Sequence, residues 1–302
     1  GVICAGGSLG TMIPPSVLII VYASVSNQSV GALFAAVLYP ATIMIGLFLG
    51  YVILHGWLFR TGKSGTPIAA AALLPGEDDA DEAHASVWSL LPPLLLVLSV
   101  VGSILTGIAS VTEAAAVGVL AALLLNLFYR DLTWGRVRIA IYKTINLTSM
   151  ILFLVIGGTL FTSVFRLTGG SAIVGNIINS SDISVVGLII LLLAIVFILG
   201  TVLDWISVTL IAIPIFVPFL APLGVDGVWF GVLVIIVLQT SYLTPPLAPS
   251  IFYLRGAVPG LFTYREMYLG VLPFIVCQLV VLALVLVYPE LATALPEKLG
   301  LH

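Results

Sequence analysis

Hydrophobic residues run through this chain in long blocks rather than at alternate positions. The blocks at 31–59, 87–109, 111–129, 147–168 and 266–289 are each long enough for an α-helix to cross about 30 Å of hydrocarbon. Three further apolar stretches, 1–25, 184–222 and 228–257, are interrupted. Pro14-Pro15 divides the first, Gly200 to Asp204 the second and Pro245-Pro246 the third. Tandem proline removes two backbone donors and clashes with the preceding turn, so a helix must open there. Polar residues gather in two connectors. Residues 60–86, with Arg60, Lys63 and the acidic run Glu77 to Glu82, read as a solvated loop. Residues 130–146, with Arg130, Trp134, Arg136, Arg138 and Lys143, read as an amphipathic segment on a membrane surface. The pattern predicts an all-α polytopic membrane helix bundle.

Composition agrees. Of 302 residues 61% are hydrophobic and 8% charged, with a mean hydropathy of +1.27, whereas soluble domains carry about 25% charged residues. The net charge of −3 includes no basic block suited to nucleic acid, and Cys4 and Cys277 both lie inside apolar runs, which argues against a disulfide framework. The chain opens at Gly1 within an apolar stretch and without methionine, the pattern expected of an N-terminally truncated fragment.

The charges suggest an orientation. With 60–86 placed in the cytoplasm, Arg60, Lys63, Arg130, Arg136, Arg138, Lys143, Arg255 and Arg265 fall inside and only Arg166 and Lys298 outside, as the positive-inside rule requires. This holds if 184–222 makes an even number of crossings, and it leaves the C-terminus periplasmic.

The interruptions are where chemistry is expected, because opened backbone at membrane depth must be buried in protein or face a wet cavity. The two proline breaks match. Tyr22 follows Pro15 at the same distance as Tyr253 follows Pro246, and Pro40 and Pro273 recur in the next helix. The two segments are expected to run in opposite directions, which marks an inverted-repeat transporter whose broken helices meet near the midplane. In 184–222 the first arm, 184–199, would span only about 24 Å at ~1.5 Å per residue. A re-entrant hairpin with Asp204 at its tip and two full spans with Asp204 in a cytoplasmic turn both satisfy this pattern. A carboxylate at depth costs at least ~2.5 kcal/mol and points to function. Thr201, Asp204, Ser207, Gln239, Thr240, Ser241 and Thr244 are candidate oxygen ligands for a small hard cation.

These residues resemble the large, DctM-type membrane subunit of tripartite ATP-independent periplasmic (TRAP) transporters. The similarity lies in Gly7 to Ser16 with Tyr22 after it, in Val111 to Ala116, and most of all in Leu203-Asp204-Trp205, Ile213-Pro214, Leu223 to Asp226, Trp229 to Gly231, Leu238 to Pro246 and Phe252 to Gly256. It covers nearly the whole chain outside 64–86. The resemblance implies an elevator-type importer of small carboxylic and 2-oxo acids with Na+ as coupling ion and no covalent cofactor. Its implied partners are a small four-helix membrane subunit and a periplasmic substrate-binding protein, in the lipid bilayer of a bacterial or archaeal inner membrane. The implied ion and substrate site comprises Ser8, Gly10, Ile13, Pro14, Pro15 and Ser16 from the first break, with Gly200, Pro245 and Pro246 joining the oxygens above, and Na+ near Thr201, Asp204 and Thr244. The transport domain would comprise 1–30 and 184–257, the scaffold 31–183, and a terminal helix and tail 258–302. The chain departs from the family pattern at Val237, commonly asparagine, at Ala248, commonly glycine, and at Val111, commonly proline. Glu113 is expected to cap a helix start.

Other readings are weaker. Gly6-Gly7-Ser8-Leu9-Gly10 matches a serine-hydrolase elbow, but that motif needs a preceding strand and a nearby histidine. Gly62-Lys63-Ser64 resembles a phosphate loop, yet Trp57 stands where the first glycine belongs. A passive channel shares the hydropathy.

Overall fold

The computed structural model describes residues 1–58, 91–130, 132–180, 183–258, 260 and 262–301. The expected loop 60–86 and Asp182 lie outside the described residues. Regular structure among the described residues is entirely helical. The helices are α1 (Val2–Leu9), α2 (Val17–Ser26), α3 (Val30–Ala36), α4 (Leu38–Leu58), α5 (Leu91–Leu105), α6 (Val111–Phe128), α7 (Trp134–Leu167), α8 (Gly170–Ser180), α9 (Val185–Val202), α10 (Trp205–Leu220), α11 (Gly227–Ser241), α12 (Pro249–Ala257), α13 (Tyr264–Val287) and α14 (Glu290–Lys298). Six helical segments among the described residues are long and apolar enough to cross a membrane: 30–58 (α3 with α4), α6, α7, α9, α10 with the short turn after it, and α13. The protein is an all-α multi-pass membrane bundle.

Helix starts follow local chemistry. Ser110 and Glu113 form a reciprocal capping box at α6, and Thr263 and Glu266 another at α13, each satisfying two otherwise orphaned backbone donors. Glu113 therefore caps its helix, as expected. The segment 130–146 differs from expectation. It is not a separate surface connector, because α7 runs unbroken for 34 residues from Trp134. No proline interrupts that stretch, so the change from polar to apolar side chains alters what the helix faces without ending it.

The unbroken helix α13 serves as an internal ruler for depth. Its 24 residues extend about 36 Å at the α-helical rise. At one end the Trp229 indole N–H donates to Val285 O at 2.8 Å. At the other the Arg255 guanidinium sits 3.8 Å from the Tyr264 ring centroid. The segment α11–break–α12 therefore crosses the bundle beside α13 and antiparallel to it. The segment α1–break–α2 runs the opposite way: Cys4 Sγ lies 3.7 Å from Ser250 O in α12, and the Tyr22 hydroxyl donates to Gly227 O at 3.0 Å. Gly231 permits this approach, since a Cβ there would lie 2.5 Å from the Tyr22 ring. The two proline-broken segments are thus antiparallel neighbours.

The hairpin α9–α10 enters from the Gly227 end. Gly200 at its tip meets Ser241 at the end of α11, so the tip lies level with the break and short of the Tyr264 end by the length of α12. Helix α7 runs alongside α10: Ile151 and Val155 pack against the cluster of Val21, Ile206 and Leu210, and Gly158 faces Leu210. The Trp134 end of α7 accordingly lies at the Tyr264 end of the bundle. Burial is uneven. Every residue of α11 from Phe230 to Ser241 is buried, whereas α6 and α7 turn large apolar side chains such as Leu127, Phe153 and Leu160 outward, the surface expected of helices meeting lipid or other apolar helices.

Candidate functional site

Both proline pairs fall where the helices open. In the first break α1 ends at Leu9, Thr11 and Met12 close tight turns onto Ser8 O and Leu9 O, and Ser16 starts α2. The Ser16 hydroxyl donates back to Thr11 O. In the second, α11 ends at Ser241, Leu243 and Thr244 close similar turns, and α12 starts at Pro249. The Pro14-Pro15 and Pro245-Pro246 peptides are both cis. Ala248, ahead of α12, adopts the left-handed conformation at φ 38°, a region glycine enters at far lower cost.

The hairpin tip docks on the second break. The Leu247 N–H, released from helical bonding, donates to Thr201 O at 3.2 Å. The contact is close because Gly200 lacks a side chain, and a Cβ there would lie 2.5 Å from Ser241 Oγ. The candidate hydroxyls donate into their own helices, Thr201 to Ile198 O, Thr240 to Ile236 O, Ser241 to Leu238 O and Thr244 to Thr240 O, at 2.7–2.8 Å. Their oxygen lone pairs are left unbonded, on Thr244 at a half-buried position and on Thr201, Thr240 and Ser241 at buried ones. Asp204 N-caps α10, with Oδ2 accepting from Ile206 N–H at 3.1 Å. Its charge lies within electrostatic reach of Tyr242 at the break. Capping uses one carboxylate oxygen and leaves Oδ1 for another partner. Ser207 stands half-buried in the first turn of the same helix.

Not every expected residue lies at this contact between tip and break. Ser8 and Gln239 form a separate, fully buried knot. Ser8 Oγ donates to Ala5 O at 2.8 Å and accepts from Gln239 Nε2 at 3.4 Å and from Gln278 Nε2 at 3.3 Å. Gln239 Nε2 also lies 3.3 Å from the Met44 sulfur. The two glutamine Oε1 atoms accept no hydrogen bond from any described residue. Gly10, Ile13, Pro14, Pro15 and Ser16 remain together in the first break. Gln278 is absent from the sequence-derived set, although a signal for it exists: it is the sole amide in the apolar run 264–287. Ser8 is no nucleophile elbow, since it lies on a helix, fully buried, with its proton given to Ala5 O.

Antiparallel broken helices, with a hairpin tip docked on one break, define a class: polytopic membrane transporters with sites at interrupted helices. Comparison with known proteins gives the family. The profile of the family described as "Tripartite ATP-independent periplasmic transporter, DctM component" matches residues 1–291. The chain is similar to the sialic acid TRAP transporter large permease protein SiaM of Vibrio cholerae, at 31% identity over 98% of this chain and 67% of that protein. It is also similar to the C4-dicarboxylate large permease DctM of Pseudomonas aeruginosa, at 29% identity over 100% of this chain and 68% of that one. A third relative is the 2,3-diketo-L-gulonate large permease YiaN of Escherichia coli, at 24% identity over 96% and 66%. The chain thus spans about two thirds of the length of these relatives. It belongs to the DctM family of TRAP transporters, and it is a transporter component rather than an enzyme.

Proposed function

We propose that this chain belongs to the large membrane subunit of a sodium-coupled importer of small organic acids. Its partners would be a small four-helix membrane subunit and a periplasmic binding protein that delivers the solute. The observation carrying this reading is the docking of the α9–α10 tip on the break between α11 and α12 through Leu247 N–H and Thr201 O. A tip level with an interruption, one α12-length short of the far end, supports a re-entrant hairpin over two full spans.

The helix ends at that level supply two kinds of charge. The N-termini of α2, α10 and α12 carry partial positive charge suited to a carboxylate, and the C-termini of α1, α9 and α11 present carbonyl oxygens suited to Na+. Thr201, Thr244 and the free oxygen of Asp204 add hard ligands. The printed names of the relatives, sialic acid, C4-dicarboxylate and 2,3-diketo-L-gulonate, support acids as the substrate class. Arg255, Arg265 and the basic start of α7 share one end of the bundle and Arg166 and Lys298 lie toward the other, which supports an inner-membrane orientation with the Tyr264 end cytoplasmic and the C-terminus periplasmic.

Asp204→Asn in the native transporter tests the ion assignment. Asparagine caps a helix about as well as aspartate, so insertion and stability should hold while the sodium concentration for half-maximal uptake rises several-fold. An unchanged sodium dependence would remove Asp204 from the ion site.

A further inference from the structure

Away from the breaks, α2, α7 and α10 line an open cavity of about 490 Å³, within the range of roughly 300–1,000 Å³ that holds small molecules. Its walls are graded. Arg166 in the last turn of α7 stands at one end, and Ser24, Thr159, Thr162 and Ser163 contribute hydroxyls, while Val155 and Leu210 belong to the apolar remainder of the lining. Depth follows from neighbouring contacts. Tyr22, two residues before Ser24, bonds Gly227 O, which places Ser24 and Arg166 toward the Gly227 end. Ile151, on the same cavity, packs against the cluster of Val21, Ile206 and Leu210, whose Ile206 lies beside the hairpin tip. The cavity therefore descends from a cationic, hydroxyl-bearing mouth to an apolar floor.

Arg166 is exposed and makes no ion pair among the described residues. Its own helix C-terminus attracts the cation weakly from one side. That contact does not account for four hydroxyl residues sharing a cavity with apolar walls. A guanidinium pairs through two parallel donors with phosphate oxygens. Thr159 and Thr162 give their protons to Ile156 O and Gly158 O, which leaves the Ser24 and Ser163 hydroxyls to donate to phosphate and ester oxygens. An apolar descent fits an acyl chain.

We propose that this cavity binds one anionic phospholipid, its phosphate on Arg166 and one acyl chain between α7 and the second hairpin arm. The lipid would then line the seam between α10 and its long neighbour. This assignment is independent of sodium coupling and of the solute carried.

The test uses the native transporter reconstituted in an equal mixture of phosphatidylglycerol and phosphatidylcholine, extracted gently and counted by native mass spectrometry. One phosphatidylglycerol should be retained in preference to phosphatidylcholine. Arg166→Gln should weaken retention about tenfold, as expected on losing a charge-assisted pair. Val155→Trp, which fills the floor and leaves Arg166 in place, should also expel the lipid. Equal retention of the two lipids by the unmodified protein overturns the proposal, as does undiminished phosphatidylglycerol in Arg166→Gln. Displacement of the lipid by millimolar succinate overturns it too and assigns the cavity to a solute.

Discussion

Replacing Ser8 by alanine tests the buried knot directly. Ser8 Oγ is the acceptor for two amide groups, at 3.4 Å from Gln239 and 3.3 Å from Gln278, and all three residues are fully buried. Alanine removes that acceptor and leaves the surrounding packing nearly intact. Gln278 Nε2 then loses the acceptor it has here, while Gln239 Nε2 keeps only the Met44 sulfur at 3.3 Å, a weak acceptor. A buried donor without a partner costs about 1–3 kcal/mol. The bonds here are long, and polar bonds between membrane helices average nearer ~0.6 kcal/mol. The expected loss is therefore ~1–2 kcal/mol, read as a lower midpoint of thermal unfolding for the purified transporter at a fixed scan rate. Gln278→Leu should be similarly harmful alone. The double variant should be less destabilised than the sum of the two, because it removes donor and acceptor together. Strict additivity, or a Ser8→Ala midpoint equal to the parent's, would refute the coupling.

Three further outcomes are expected. Gly200→Ala places a methyl 3.0 Å from Ser241 Cβ, an overpacking worth about 1–3 kcal/mol; thermal stability and uptake should both fall, and Ser241→Ala should recover only part because the Cβ contact stays. Ala248→Gly relieves the left-handed conformation at φ 38° and should raise the unfolding midpoint, by up to ~1 kcal/mol of strain less the added chain entropy; a fall in midpoint would show that the Ala248 methyl packing matters more. Gly231→Ala, with its Cβ 2.5 Å from the Tyr22 ring, should lower the midpoint and part α2 from α11, measurable as slower disulfide formation between cysteines introduced at facing positions of these two helices.

Much of the molecule was legible before any coordinates. Tandem prolines located both breaks, because two successive residues without an N–H open a ladder, whereas the single prolines Pro214, Pro218 and Pro273 are carried within continuing helices. Asp204 at a helix-to-helix turn and Glu113 as a cap were readable locally too, because the first turn of a helix leaves backbone donors that a nearby carboxylate accepts. The family departure at Ala248 also acquires a physical meaning, since that position takes a left-handed backbone where glycine is common. The long α7 was misread in its first part because a change of polarity resembles an end, although no residue there stops a helix. Gln278 was passed over because a lone glutamine in an apolar run carries no sign of its partners.

What the sequence determined by itself is the class of element and the places where elements fail: apolar length makes the spans, and tandem proline opens two of them. These are local effects, set by the peptide's own donors and by the thickness of hydrocarbon. Only the tertiary structure decided that Gln278, 270 residues from Ser8, shares its hydroxyl, and that the hairpin tip stops at the level of the second break. It also separated Ser8 and Gln239 from the oxygens around Thr201. Such pairings depend on which helices approach closely enough for side chains to meet, and that depends on small residues such as Gly200 and Gly231 and the neighbours that fill the space they leave.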